Sequence, residues 1–176
     1  METKHLDPNE LEQWERIDGV VYDVSPSPST EHQRIVRRLT LKIGAYLEGK
    51  SCELFTSPFG VYLDEVESGQ YVQPDLLVVC DSSKIHENGC YGAPDMVVEV
   101  MSPRTIKKDK TIKLRAYKTS GVREYWIVNP ANQFLEVYDF QEDAPFPTVY
   151  EANESVTVKF LEDLEIALSD IFGKTD

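Results

Sequence analysis

The chain has 176 residues, enough for one domain over 1–176 with a sizeable core and short for two. Its 31 acids against 18 Lys and Arg, a net charge of −13, speak against a protein that coats nucleic acid generally, because such proteins carry Lys and Arg to displace phosphate counterions. The opening METKHLDPNE lacks the apolar stretch of a signal peptide, and no run approaches the roughly 20 apolar residues of a membrane helix, so a cytoplasmic protein without a membrane partner is expected.

In chain order, WERIDGVVYDVS reads as a hairpin turning at Asp18-Gly19. The prolines of the connector from Ser25 to Thr30 forbid a regular element there. Thr30 then caps a helix running to about Glu48 and ending near Gly49. His32, Ile35, Val36, Leu39, Ile43, Tyr46 and Leu47 share one face of it, so His32 points inward, either as a satisfied core histidine or as a site residue. Strands follow near 52–64, 71–80 and 95–101, then a helix over about 106–119 stopped at Gly121, and the strands REYWIVN and QFLEVYDF. A strand near 154–160 and a short helix near 163–172 complete the chain. This order predicts an α/β or α+β fold, a mixed sheet flanked by helices, with an N-terminal hairpin and extra C-terminal strands. Cys52, Cys80 and Cys90 are odd in number and have no CxxC spacing, which predicts reduced thiols rather than a disulfide frame or a zinc site, with Cys80 in the core.

The chemistry concentrates between Pro74 and Lys113. In VQPDLLVVC and DMVVEVM both alternating sets are largely apolar, which marks central strands covered on both faces. Gln73, Asp75, Leu77 and Val79 form one set, and Val97, Glu99 and Met101 form another. An ionised carboxylate on such a strand is costly unless a cation or hydrogen bonds compensate, and a divalent metal is the simplest compensation. Asp95 lies about 13 Å along its strand from Glu99, too far to share an ion, whereas Asp75 on a neighbouring strand can approach Glu99 closely.

On the helix that follows, Ile106, Asp109, Ile112, Lys113, Ala116 and Tyr117 fall inward, and Lys107, Lys108, Lys110, Arg115 and Lys118 fall outward. Asp109 and Lys113 are therefore the charges on the core side. They read either as an i,i+4 ion pair whose ammonium snorkels out, or as groups aimed at the strand carboxylates. Arg104 to Lys118 holds seven basic residues and one acid, whereas 131–176 holds eleven acids against Lys159 and Lys174. A local cationic face is thus open, as is the plainer reading of solvated helix and strand surfaces. No G-x-S-x-G occurs, and no histidine is coupled to a cysteine by a recognisable motif.

An Asp after Pro opening one strand, a Glu inside the next and a lysine close behind resemble the PD-(D/E)XK nuclease superfamily. LEQWERIDGVVYDVSPSPSTEHQRI, QPDLLVVC, GAPDMVVEVMSP, the Asp109-x3-Lys113-x3-Tyr117 helix and GVREYWIVNP together resemble the Uma-type family of putative restriction endonucleases, from about Leu11 to Tyr138. The resemblance implies a restriction-endonuclease-like fold and metal-dependent phosphodiester hydrolysis in DNA, with a homodimer as an implied assembly. Asp75 and Glu99 would be catalytic metal ligands for Mg²⁺ or Mn²⁺, helped by the Val100 carbonyl. The pattern expects lysine two residues after Glu99, where this chain has Met101, so Lys113 is the expected substitute. His32, Gln73 and Asp109 would support the site, the first two at its rim. The rival reading is a noncatalytic nucleic-acid-binding or homo-oligomeric module that keeps the fold.

Overall fold

The computed structural model describes residues 14–23, 28–64, 66, 69–142, 144–161 and 163–173. The N-terminal residues 1–13 and the Ser25–Ser27 part of the connector lie outside them.

β1 (Trp14–Ile17) and β2 (Val20–Asp23) form the expected hairpin, with Ile17 opposite Val20. Its two-residue turn has positive φ at both Asp18 (52°) and Gly19 (75°), the twist that matches two right-handed strands. Helix α1 spans Thr30–Leu47, but its cap is Ser29, whose side chain accepts the His32 N–H. Ile35, Leu39, Ile43 and Leu47 form its buried stripe.

The stretches expected as single strands over 52–64 and 71–80 are each split. β3 (Glu53–Thr56) and β4 (Val61–Tyr62) make up the first, β5 (Tyr71–Val72) and β6 (Leu76–Val79) the second. In both the chain crosses from one sheet to another, and Pro58 and Pro74, which have no N–H to give a ladder, sit in the two breaks. A short hairpin, β7 (Ile85–His86) and β8 (Gly89–Tyr91), was not anticipated. β9 (Met96–Val100) is followed by helix α2 over residues 106–120, then by β10 (Glu124–Asn129) and β11 (Phe134–Asp139). β12 (Thr148–Glu151) and β13 (Ser155–Thr157) follow. The expected helix over 163–172 is helical only in α3 (Leu168–Phe172), because β14 (Glu165–Ala167) pairs with β13.

One mixed sheet has the order β12-β11-β10-β9-β6-β3, the other β2-β1-β5-β4-β8-β7. In the first, β9 and β10 run parallel, so α2 is the crossover between them. Alternation along β9 divides the core. Met96, Val98 and Val100 pack against α1 and α3, while Val97 and Met101 pack with Tyr117 of α2 and with Ile17, Val61 and Val72 of the other sheet. Glu99 shares the strand set of Val97 and Met101, so it faces the layer between the two sheets. No helix of the described residues is long and apolar enough to cross a membrane.

The cysteine expectation is corrected. Cys52 and Cys80 are disulfide-bonded, because the register Glu53↔Val79 between β3 and β6 brings the two residues together. Cys90 is free and buried. The bridge closes a 28-residue separation, which in the chain-entropy picture stabilises the fold by about 3–4 kcal/mol. Urea denaturation with and without dithiothreitol should differ by about that amount.

Candidate active site

Glu99 is buried on a central strand, and its surroundings account for its state. Its Oε1 accepts from Lys113 Nζ at 2.7 Å and from Tyr117 OH at 2.8 Å. Burial pushes the Glu99 carboxyl up to about 8 against the opposing pull of Lys113, with Asp109, Asp75 and Glu15 adding to the rise. Burial thus favours the protonated carboxyl, and a further cation would oppose it. Glu124, also buried on β10, shows what a structurally satisfied acid looks like. One oxygen accepts from Trp126 Nε1 and the other from the Lys159 N–H. No hydrogen bond among the described residues uses Glu99 Oε2.

Lys113 reaches this point from α2 through a change of helical register. Ile106–Lys108 is α-helical, Asp109–Lys113 is a π-helical turn, and Leu114–Ser120 is α-helical again up to Gly121 at φ 95°. The wider i→i+5 turn brings residues five apart towards one face. Lys108, expected outward, thus joins Lys113 in gripping Glu15, while Ile106, expected inward, is exposed. Lys113 Nζ lies 2.7 Å from Glu15 Oε1 as well as from Glu99 Oε1, so it bridges carboxylates of the two sheets. Burial lowers the affinity of this amine for its proton, but Glu15 and Glu99 outweigh it and hold the ammonium charged well above the usual lysine range.

Glu15 was missed at the sequence level. It is fully buried, with Oε2 2.7 Å from Lys108 Nζ and Oε1 accepting the Gln73 N–H at 3.0 Å. Burial alone would raise its pKa, yet the charges of Lys113 and Lys108 win and lower it. A signal was available: in a strand, Glu15 shares its face with Ile17, the same acid-on-an-apolar-set pattern that exposed Glu99.

Asp75 occupies the crossover just before β6. The Met101 N–H donates to Val128 O on β10 at 2.8 Å, so the Val100 N–H faces the other neighbour, β6, which begins only at Leu76. Asp75 Oδ2 takes that N–H at 2.8 Å and stands in for the missing ladder partner. The same oxygen meets His32 Nε2 at 3.1 Å, which ties α1 to the site. Extending the register Leu76↔Val98 by one residue sets Asp75 across from Glu99, and the Asp75 charge is felt at Glu99. Its side chain is 20 % exposed, at the mouth of the cluster rather than in its floor. Asp75 Oδ1 is likewise free of hydrogen bonds among the described residues. For His32, desolvation opposes the charged ring, but the Asp75 carboxylate prevails and raises its pKa. His32 Nδ1 is buried with no hydrogen-bond partner among the described residues.

Gln73 is buried rather than at the rim, and its side-chain amide donates to Tyr71 OH. Asp109 is buried with Oδ1 unpartnered, and Lys113 has gone to Glu15 and Glu99 instead of forming the i,i+4 pair. Asp95, at the far end of β9, accepts the Cys80 N–H and pairs with Arg123, a strand-entry role. Of the basic run, Lys108, Lys110 and Arg115 are paired with Glu15, Glu136 and Asp18, which leaves Arg104, Lys107 and Lys118 exposed. Among the described residues no group of three or more His, Cys, Asp or Glu is placed to hold a metal ion. Asp75 and Glu99 each keep one oxygen uncommitted among the described residues, and carboxylate oxygens are the hard donors that Mg²⁺ or Mn²⁺ takes together with water.

Two proteins of Synechocystis described as uncharacterized resemble the chain along most of its length. One, slr1290, is 27% identical over 164 residues, 88% of this chain and 85% of its own; the other, sll1609, is 24% identical over 152 residues, 85% and 84% respectively. A crystal structure of a nuclease from Anabaena variabilis, described as putative and belonging to DUF820, superposes with a TM-score of 0.74 over 90% of this chain and 89% of that one. At 21% identity this likeness establishes the fold, an α+β arrangement of two large mixed sheets flanked by helices. The model of the Uma2 family, described as "Putative restriction endonuclease", matches residues 2–169, and the chain belongs to that family.

Proposed function

We propose that the chain is a divalent-metal-dependent endonuclease that hydrolyses phosphodiester bonds in DNA. The observation that carries this reading is the buried Glu99–Lys113 pair with Asp75 set across from Glu99 in the strand register, one oxygen of each carboxylate being uncommitted among the described residues. Asp75 Oδ1, Glu99 Oε2 and the Val100 carbonyl would hold Mg²⁺ or Mn²⁺, which when bound polarises the scissile phosphate and acidifies a water. Lys113 keeps a charged N–H donor beside Glu99, where it offsets charge growing on the phosphoryl oxygens, the task that Met101 cannot perform. Tyr117 holds Glu99 Oε1 in place, and His32 with the Val100 N–H fixes Asp75 Oδ2. Similar folds often pair for double-strand cleavage, so the active form in this reading is a homodimer.

A noncatalytic nucleic-acid-binding or homo-oligomeric module is the second reading, favoured by Met101 at the usual lysine position. Calorimetric titration with Mg²⁺ and Mn²⁺, paired with nicking of supercoiled plasmid, separates the two. The nuclease reading expects saturable one-site binding and metal-dependent nicking. Absence of both would replace it with the noncatalytic module.

A further inference from the structure

We infer that Glu15, from the N-terminal hairpin, is a positioning residue for the Lys113 ammonium, an inference that rests on the nuclease reading above. An ammonium has three donors. Lys113 spends one on Glu99 Oε1 and one on Glu15 Oε1, both at 2.7 Å, which leaves the third for a substrate oxygen. Glu15 is no metal ligand, because its own protein saturates it. Oε1 takes Lys113 and the Gln73 N–H, and Oε2 takes Lys108.

Its position explains why the work falls to a different sheet. A lysine two residues after Glu99 would project from the same strand with its direction set by β9. Lys113 instead arrives on a flexible four-carbon stem from a helix, and such a stem needs a second anchor to hold its head in one place. Glu99 alone would allow the ammonium to swing across the carboxylate onto Oε2, the oxygen that the cation needs. Glu15, held on β1 by the hairpin and the Gln73 backbone, draws the ammonium the other way. A buried Glu with two lysines is a poor device for stability alone, since apolar replacements of buried ion pairs are often neutral or stabilising.

The test compares Glu15→Gln, Glu15→Asp and Lys108→Met with wild type in the full chain. The readouts are kcat and KM for Mn²⁺-dependent plasmid nicking, Mn²⁺ affinity, Tm, and the Lys113 ammonium signal in protein carrying ¹⁵N-lysine. The signal reports the anchor without reference to turnover. Glu15→Gln should lower kcat by about 10- to 100-fold with KM nearly unchanged, the signature of a displaced group, and should shift or broaden the Lys113 signal. Glu15→Asp, which keeps the charge on a shorter arm, should fall between. Lys108→Met loosens the same hairpin–helix tie but leaves Lys113 between its two carboxylates, so it should lower Tm and spare kcat. A nicking wild type whose Glu15→Gln variant keeps its kcat and its Lys113 signal overturns the inference, as does equal loss of kcat in Lys108→Met. If Glu15→Gln does not fold, undiminished kcat in Glu15→Asp overturns it. A wild type that neither binds Mn²⁺ nor nicks overturns the nuclease reading itself, which the variants cannot mimic.

Discussion

Glu99→Gln should abolish metal binding and nicking while making the protein more stable at pH 8 than the wild type. Gln keeps an oxygen to accept from Lys113 and Tyr117, but places an amide where the uncommitted Oε2 stands. The stability change follows from proton linkage. Glu99 titrates near 8 in the folded protein and near 4.5 when unfolded, so between those values the folded state holds a proton that the unfolded state has released. Stability from this group therefore falls as pH rises through that window, by an order of magnitude set at about 5 kcal/mol for the full shift. Gln does not titrate, so the stability difference between variant and wild type should grow from pH 5 to pH 8. Urea denaturation across that range without metal reads it. A difference that stays flat with pH shows that Glu99 is ionised in the folded protein, and the account of its burial is then wrong.

Lys113→Met should be the most damaging single change in the cluster. It leaves Glu99 buried with Tyr117 as its remaining donor and with Asp75, Asp109 and Glu15 nearby, whereas Glu15 keeps Lys108 and the Gln73 N–H. Removing one partner of a buried ion pair costs about 3–5 kcal/mol. Protonating Glu99 removes much of that cost, so the loss should be larger at pH 8 than at pH 6. The carboxylate oxygens that would hold the cation are untouched. Mn²⁺ should accordingly still bind, and should raise Tm by more than in wild type, because the cation replaces the lost positive charge. Nicking should be reduced rather than merely saturate at higher metal. A loss below about 1 kcal/mol would place Lys113 among the exposed ion pairs instead.

Strictly local patterns made half of this site legible in the sequence. Alternation in DMVVEVM put Glu99 among Val97 and Met101, and helical spacing put Lys113 and Tyr117 inward, because both periods depend only on neighbours a few residues away. The same patterns failed where a contact joins distant segments. Glu15 becomes a site residue only when the β1 sheet packs over α2, and the Cys52–Cys80 bridge exists only once β3 and β6 take their register. Asp75 was found for its motif, but its grip on the Val100 N–H depends on β6 starting one residue after it. Lys108 fell on the wrong face for a different reason. A single π-helical turn alters the angle between residues, and nothing in an α-helical period announces it. Short-range periodicity thus determined which residues face inward in the regular strands and in the helix beyond its π-helical turn. The packing of two sheets against one irregular helix decided which of them touch, since burial is a property of single strands and helices whereas an ion pair requires two elements to arrive at one place.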